Sequence, residues 1–296
     1  MSEVLTGGIR GGTSINYAAL GETVSERGGV INLGTEGSML CGALAAYAVA
    51  SETGNVWIGV VAGAIAGGLL SSVHAYFVLS RGANQLACGL VVLFLGLGLT
   101  SMFGVDYVQA LAPTFSQVAI PVLSDIPFIG PIMFDQDPLV YVSYVAVPVL
   151  WWVIYRSRWG VMLRAAGERS EVLTANGIGV LRIQYLAVVI GGMFAGVGGA
   201  HLSIAYTKAW FENMAQGRGF VAVAVVMFAA RQPFKVAAGA YLFGSALALS
   251  PALQSRGYAI NQFALDAVPY VVTLLALVIL GRRRANEVPE GLSKVF

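Results

Sequence analysis

Nine stretches of this sequence are apolar over lengths that suit a lipid bilayer better than a soluble core. They fall at about 4–21, 34–51, 55–79, 86–104, 139–155, 183–205, 219–230, 236–253 and 264–281, and at 1.5 Å per residue most of them match the ~30 Å hydrocarbon layer. Only helices and closed barrels satisfy their backbone polar groups in lipid, and runs of this length point to helices. The first stretch is interrupted by Arg10, Asn16 and Glu22, and the seventh is short. The expected fold is therefore all-α, a polytopic transmembrane helical bundle of about 8–10 spans. Composition agrees: 57% of the 296 residues are hydrophobic and 11% are charged, where soluble domains carry roughly 25% charged residues. No low-complexity linker interrupts the series, so residues 1–296 read as a single transmembrane domain.

Charge placement orients the bundle. Residues 156–182 hold Arg156, Arg158, Arg164, Arg169 and Arg182, and the tail opens with Arg282-Arg283-Arg284. The stretch 105–138 instead holds Asp106, Asp125, Asp135 and Asp137, with no basic residue. Basic loops stay cytoplasmic, so 156–182, Arg231–Lys235 and the tail are expected inside and 105–138 outside. Alternation then puts 80–85 and 22–33 inside and the N-terminus outside. Met1-Ser2-Glu3 lacks the basic start of a cleaved signal peptide, so none is expected. The expected location is the cell's inner membrane, with multiple crossings. A net charge of +2 gives no reason to expect nucleic acid.

Several kinds of chemistry find no motif. Lys208, Lys235 and Lys294 follow Thr, Phe and Ser, so no GxxxxGK[ST] loop for nucleotide phosphates occurs. His74 and His201 stand alone, without metal-ligand spacing, and suit helix packing better than catalysis. Cys41 and Cys88 lie in apolar runs and read as packed, reduced thiols. No metal, cofactor or enzymatic activity is expected on this chain.

Glycine supplies two patterns. Gly59, Gly63 and Gly67 form consecutive GxxxG steps, and Gly192 and Gly196 form another, a spacing that lets backbones approach closely in lipid. It serves packing within the bundle or an interface with another subunit. Arg27-Gly28-Gly29-Val30 and Arg218-Gly219-Phe220-Val221 each open an apolar run, a faint echo of two related halves.

The 156–182 stretch is long enough for a short helix lying across the bundle. Ser170 is placed to cap it and Asn176-Gly177 to stop it with a left-handed residue. Val172, Leu173 and Ala175 would form its apolar side, with Glu168, Arg169 and Glu171 polar. Such a helix gives a soluble partner something to grip; a loop that only fixes topology is the alternative.

The pattern Gly160…Leu163-Arg164-Ala-Ala-Gly167-Glu168…Ala175-Asn176-Gly177-Ile178-Gly179-Val180…Gly191-Gly192…Ala195-Gly196…Gly199-Ala200 resembles the cytoplasmic coupling region of the ABC permeases for branched-chain amino acids, simple sugars and nucleosides. Ser25-Glu26-Arg27-Gly28-Gly29-Val30-Ile31-Asn32-Leu33-Gly34-Thr35-Glu36-Gly37-Ser38-Met39-Leu40 is similar to the signature of the nucleoside-type branch. Ala83-Asn84-Gln85-Leu86-x-x-Gly89 and Gly217-Arg218-Gly219-Phe220-x-Ala222 also fit that branch, while Gly29, Thr35 and Cys88 depart from it.

The resemblance implies a permease subunit that translocates nucleosides or related purine and pyrimidine compounds by alternating access. The same machinery for riboflavin, a sugar or a branched-chain amino acid is the alternative, and a stand-alone secondary transporter is a further one. It implies that Arg164, Gly167, Glu168, Arg169, Glu171, Asn176 and Gly177 couple to an ATPase. It also implies a second, related permease in a heterodimer, cytoplasmic subunits that bind the ATP, and a periplasmic or lipid-anchored binding protein. Polar groups in spans usually face a wet path, which makes Asn32, Glu36, Asn84 and Gln85 candidates for the substrate path. They fall near cytoplasmic span ends, where helix capping or salt bridging of Glu26 or Glu36 with Arg27 is the competing role. Trp210, Phe211, Glu212, Asn213, Gln216 and Arg218 are candidates for an outer mouth, with interfacial anchoring as the alternative. Asn16, Ser101 and Gln109 are weaker candidates.

Overall fold

The computed structural model describes residues 2–108, 110–127, 129–254 and 271. The expected last span at 264–281, the arginine-led tail and Gln109 lie outside the described residues or almost wholly so. The elements in chain order are α1 (Ser2–Arg27), α2 (Thr35–Thr53), α3 (Val56–Ala75, continued by a π-helical turn at Tyr76–Ser80), and α4 (Gln85–Gly104). A short strand β1 (Val118–Ala119), α5 (Ile129–Met133) and strand β2 (Asp135–Gln136) follow. Then come α6 (Pro138–Arg156), α7 (Arg158–Glu168), α8 (Ser170–Ala175), α9 (Val180–His201, with a π-helical turn at Leu202–Tyr206), α10 (Arg218–Phe228) and α11 (Pro233–Gln254). Among the described residues, five helices are long and apolar enough to cross a membrane: Val56–Ser80, Gln85–Tyr107, Pro138–Arg156, Val180–Tyr206 and Pro233–Gln254. The chain is a multi-pass membrane protein with an all-α fold.

Two ends of the bundle can be told apart by their contacts. At the acidic end, β1 pairs with β2 in antiparallel register, Val118 opposite Gln136 and Ala119 opposite Asp135. Arg10 donates there to Gln136 Oε1 at 2.9 Å, and Tyr107 donates to Glu52 at 2.6 Å. At the arginine end, Arg27 meets Glu168, Tyr155 and the 230–231 corner. The helices alternate between these ends in the order that charge placement leads one to expect.

The first span is the surprise of the fold. Its interrupting Arg10, Asn16 and Glu22 make it the least lipid-like stretch, yet Ile15, Asn16, Ala18, Ala19, Leu20 and Val24 are all fully buried. α1 packs on α9, α10 and α11 and touches α6. It crosses the bundle without facing lipid, so it has no need of an apolar surface all round.

Glycines let α2, α3 and α9 come together. A methyl group at Gly59 would lie 2.6 Å from Ala46 O, one at Gly63 2.7 Å from Gly42 O, and one at Gly67 2.7 Å from Gly196 Cα. Both GxxxG patterns therefore serve packing inside the chain. Lipid tails supply no hydrophobic drive between helices, so close van der Waals contact has to hold them. Replacing Gly196 by Val should cost about 2–3 kcal/mol through overpacking, read as a lower unfolding midpoint in detergent. Gly98, whose added methyl would meet nothing within 4 Å, should accept Ala with little change.

Candidate functional site

Two helices in this bundle begin part-way through it. Gly37, in the first turn of α2, lies against Val92 O and Leu93 Cα, halfway along α4. A methyl at Gly96 would in turn reach Gly37 Cα at 2.7 Å. After α1 reaches the arginine end at Arg27, Gly28, Gly29 and Val30 close it with backbone bonds to Val24 O, Glu26 O and Ser25 O, residues 31–34 climb back, and α2 starts at mid-depth. The second break is at 207–217. Trp210 donates through Nε1 to Gly104 O at the acidic end, 2.9 Å away. Seven residues later, Gly217 sits beside Glu36. α10 then runs only 11 residues, about 16 Å, before the chain turns at the arginine end into α11.

Both breaks leave some backbone amides without backbone partners, and side chains take these up. Glu36 Oε1 accepts from Gly217 N at 2.7 Å and Glu36 Oε2 from Gly219 N at 2.5 Å. One carboxylate thus closes the N-terminal end of α10, where free N–H groups and the helix dipole favour negative charge. In the first break, Glu22 accepts from Asn32 N at 2.8 Å, Asn32 Oδ1 from Gly34 N at 2.9 Å, and Gln85 Oε1 from Ile31 N at 2.9 Å. His74 Nε2 lies 3.1 Å from Ile31 O. A polar seam continues from Asn32 Nδ2 to Ser71 at 3.1 Å and from Ser71 to Ser38 at 2.9 Å.

The C-terminal end of α10 is held just as firmly. Ala230 and Arg231 adopt left-handed backbone, φ 49° and 58°. Arg27 donates through Nη2 to Ala230 O and Arg231 O at 3.4 and 3.3 Å. Glu26, buried completely, meets Arg231 Nε at 2.7 Å. Arg27 also faces Glu168 of α7 at 3.7 Å and donates to Tyr155 of α6 at 2.8 Å.

The structure sorts the sequence candidates. Glu36 meets the 217–219 turn at mid-depth, while Asn32 is bonded to Glu22 and Ser71. Asn84 caps α4, accepting from Leu86 N and Ala87 N at 3.0 Å each, and Gln85 steadies the first break. Glu36 thus lies deeper than the positions of the apolar runs lead one to expect, because the 28–34 segment carries the start of α2 inward to Val92 and Leu93. The salt bridges differ too, since Arg27 pairs with Glu168 and Glu26 with Arg231, while Glu36 takes backbone amides.

The proposed mouth divides likewise. Trp210 is buried against Gly104, Glu212 meets Ser101, and Phe211 and Asn213 are exposed. Gln216 is exposed, and Arg218 lies near Glu36, where it folds back onto Met214 O at 3.2 Å and over the Tyr206 ring. His201 is a packing residue at the acidic end, 3.4 Å from Asp137. Among the described residues no group of three or more His, Cys, Asp or Glu is placed to hold a metal.

The 156–182 stretch forms two helices where one was expected. Ser157 caps α7, accepting from Gly160 N at 3.0 Å. Ser170 does not cap α8; it is the first residue of that helix, and no side chain caps it. Leu173 is buried, but Val172 and Ala175 are exposed, so the expected apolar side shrinks to Leu173. Asn176 donates to Val172 O at 2.7 Å and Gly177 is left-handed at φ 70°, as the Asn-Gly pair requires. Arg164 lies over the Tyr155 ring at 5.4 Å. Arg169 and Glu171 are exposed. Gly167 abuts Arg27 so closely that a methyl there would sit 2.9 Å from Gly29 N and overlap Arg27 O. Sequence reasoning missed Arg231 and treated Glu22 as an interruption, although an ionisable residue inside a span is itself a signal.

Comparison with known proteins places this geometry. Residues 5–280 match the family model described as "Branched-chain amino acid transport system / permease component". A putative glucose ABC transporter permease protein of Haloferax volcanii is 42% identical over 89% of this chain and 80% of its own length. The guanosine ABC transporter permease protein of Bacillus subtilis is 32% identical over 92% of this chain and 91% of its own. A nucleoside ABC transporter permease protein of Lactococcus lactis is 29% identical over 90% of this chain and 88% of its own. Haloferax volcanii and Bacillus subtilis each hold a second match, also named a permease for glucose or guanosine, at 24% identity.

Removing the Glu36 carboxylate should expose its role. Glu36→Ala leaves two buried N–H groups unpaired, at about 1–3 kcal/mol each. The Gly217 and Gly219 amides should then exchange hydrogen faster, as read by mass spectrometry, while Glu36→Gln, which keeps one acceptor oxygen, should lie in between.

Proposed function

We propose that this chain, which belongs to the branched-chain amino acid transport system permease family and is an ABC transporter permease, carries nucleosides into the cell across the inner membrane. The observation that supports this reading is the Ser25–Leu40 stretch with its buried Asn32 and Glu36, together with relatives named for guanosine and nucleosides over nine-tenths of the chain. A sugar is the second reading, favoured by the relative named as a putative glucose permease at 42% identity. Both solutes are polyhydroxylated and suit a path that offers transient hydrogen bonds rather than a tight site.

In this reading the arginine end faces the cytoplasm, and residues 1–296 act as one transmembrane domain with a coupling loop at about 156–182. The exposed side of α7 and α8, with Arg169, Glu171, Val172 and Asn176, is where an ATP-binding subunit docks. That partner supplies the ATP site, because this sequence has no phosphate-binding loop. A second, homologous permease completes the pore, a pairing supported by the two matches found in each of two organisms. A periplasmic or lipid-anchored binding protein delivers the solute. ATP-driven closure of the ATPase moves α7 and α8, and the pore opens to each side in turn.

Two measurements test this. Vesicles holding the assembled transporter should take up labelled guanosine on ATP addition and not labelled glucose; the reverse preference would establish the sugar reading. Uptake driven by an ion gradient without any ATPase subunit would overturn both. Val172→Asp with Glu171→Arg, on the exposed face of α8, should release the ATPase during co-purification while the permease melts unchanged.

A further inference from the structure

The half-helix α10 is gripped at both ends by residues of one short stretch, 26–36, and one of those residues also touches α7. We propose that Arg27 is a positioning residue that relays movement of α7 to α10, so that the α10 half-helix is the element the coupling loop displaces. The proposal rests on the reading of this chain as an ATP-driven permease.

Three independent features carry it. Arg27 is the shared contact: its guanidinium faces Glu168 Oε1 at 3.7 Å on one side and donates to Ala230 O and Arg231 O at 3.4 and 3.3 Å on the other. Its backbone is pinned as well, since Gly167 lies so close that any side chain there would strike Arg27 O. A displacement of the α7 C-terminus therefore has to push on Arg27.

The second feature is backbone strain. Six non-glycine residues among those described have positive φ, and five of them flank α10: Lys208, Asn213 and Gln216 before it, Ala230 and Arg231 after it. Left-handed backbone persists for such residues only where surrounding contacts hold it, and it clusters at switch segments. α10 is thus a rigid rod between two strained connectors.

The third is the opposite end. Gly217 and Gly219 hang on Glu36 by two amide hydrogen bonds, and the loop that follows them back toward Gly104 includes Glu212, which meets Ser101 of α4. Tilting α10 about Glu36 would move that loop. Glu26 and Arg231, at 2.7 Å, keep the 230–231 corner attached to α1 while it moves.

The test uses the full transporter with its ATP-binding subunits, second permease and binding protein in liposomes. It reads uptake of labelled guanosine or glucose, whichever the unaltered complex accumulates, alongside phosphate release. Arg27→Gln should lower uptake about tenfold, within the usual range for coupling between sites, with phosphate release nearly unchanged. Arg27→Lys, which keeps charge and some donor capacity, should fall between. Arg27→Glu combined with Glu168→Arg restores the ion pair but cannot donate to Ala230 O and Arg231 O, so it should stay uncoupled. Full rescue by that exchange, or uptake and hydrolysis falling in parallel, would overturn the relay. If Arg27→Gln does not assemble, Glu168→Gln decides, because Glu168 is 54% exposed and tolerant of change; an unaltered uptake-to-hydrolysis ratio there overturns the relay. An unaltered complex without ATP-dependent uptake would instead sink the permease reading beneath it.

Discussion

A chain that stops being helical inside lipid has to find partners for the amides it frees, because no water reaches them there. This protein starts two helices at mid-depth, after the breaks at 28–34 and 207–217, and carboxylate and amide side chains share their repair with backbone turns. Glu22, Asn32 and Gln85 serve the first break, and Glu36 serves the second from 181 residues away. The buried acids are acceptors for the backbone before they are anything else. That role limits what they offer to a passing solute. Glu36 in particular spends both oxygens on Gly217 and Gly219, so a hydroxyl group reaching it has to share or displace an existing bond.

The dense packing around the breaks follows from the same solvent. Helix association here gains nothing from hiding apolar surface, so contact distance matters more than hydrophobicity. Where α2, α3 and α9 meet, Gly42, Gly63, Gly67 and Gly196 remove the side chains altogether, and backbones touch. The lipid-facing helices show the reverse economy. On α4, Leu90, Val91, Phe94, Met102 and Phe103 are exposed, which is where bulky apolar groups belong when the surrounding solvent is hydrocarbon.

Sequence patterns reached the spans well and the breaks poorly, for a physical reason. Hydropathy reports contact with lipid, so it found α3, α4, α6, α9 and α11 within a few residues of their ends. It rated α1 weakest because α1 is wrapped by other helices and answers to protein neighbours instead. Local chemistry was legible where the partner lies nearby in sequence: Gly177 ends α8 as Asn-Gly suggests, and Asn84 caps α4. Pairings across the chain were not. Nothing in the run containing Glu36 names Gly217, and nothing near Glu26 names Arg231. The short seventh stretch held the clue, since an 11-residue helix cannot cross a bilayer, but its length alone does not say at which depth it begins.

Why natural selection should keep strained backbone at both ends of one short helix is a question of energy balance. A non-glycine residue in the left-handed region costs about 1 kcal/mol or somewhat more, and five flank α10. Hydrogen bonds from Arg27 to the 230–231 carbonyls and from Gly217 and Gly219 to Glu36 return roughly the same amount each when the acceptor or donor is charged. The two sides are of similar size, so the contacts at its ends set where α10 sits, while Val221, Ala222, Val225 and Val226 pack its length into the core. A helix set in that balance keeps its internal hydrogen bonds while its ends exchange partners. It can shift as a unit when one of those contacts is pulled, and the contact that reaches outside the bundle is the one through Arg27 to Glu168.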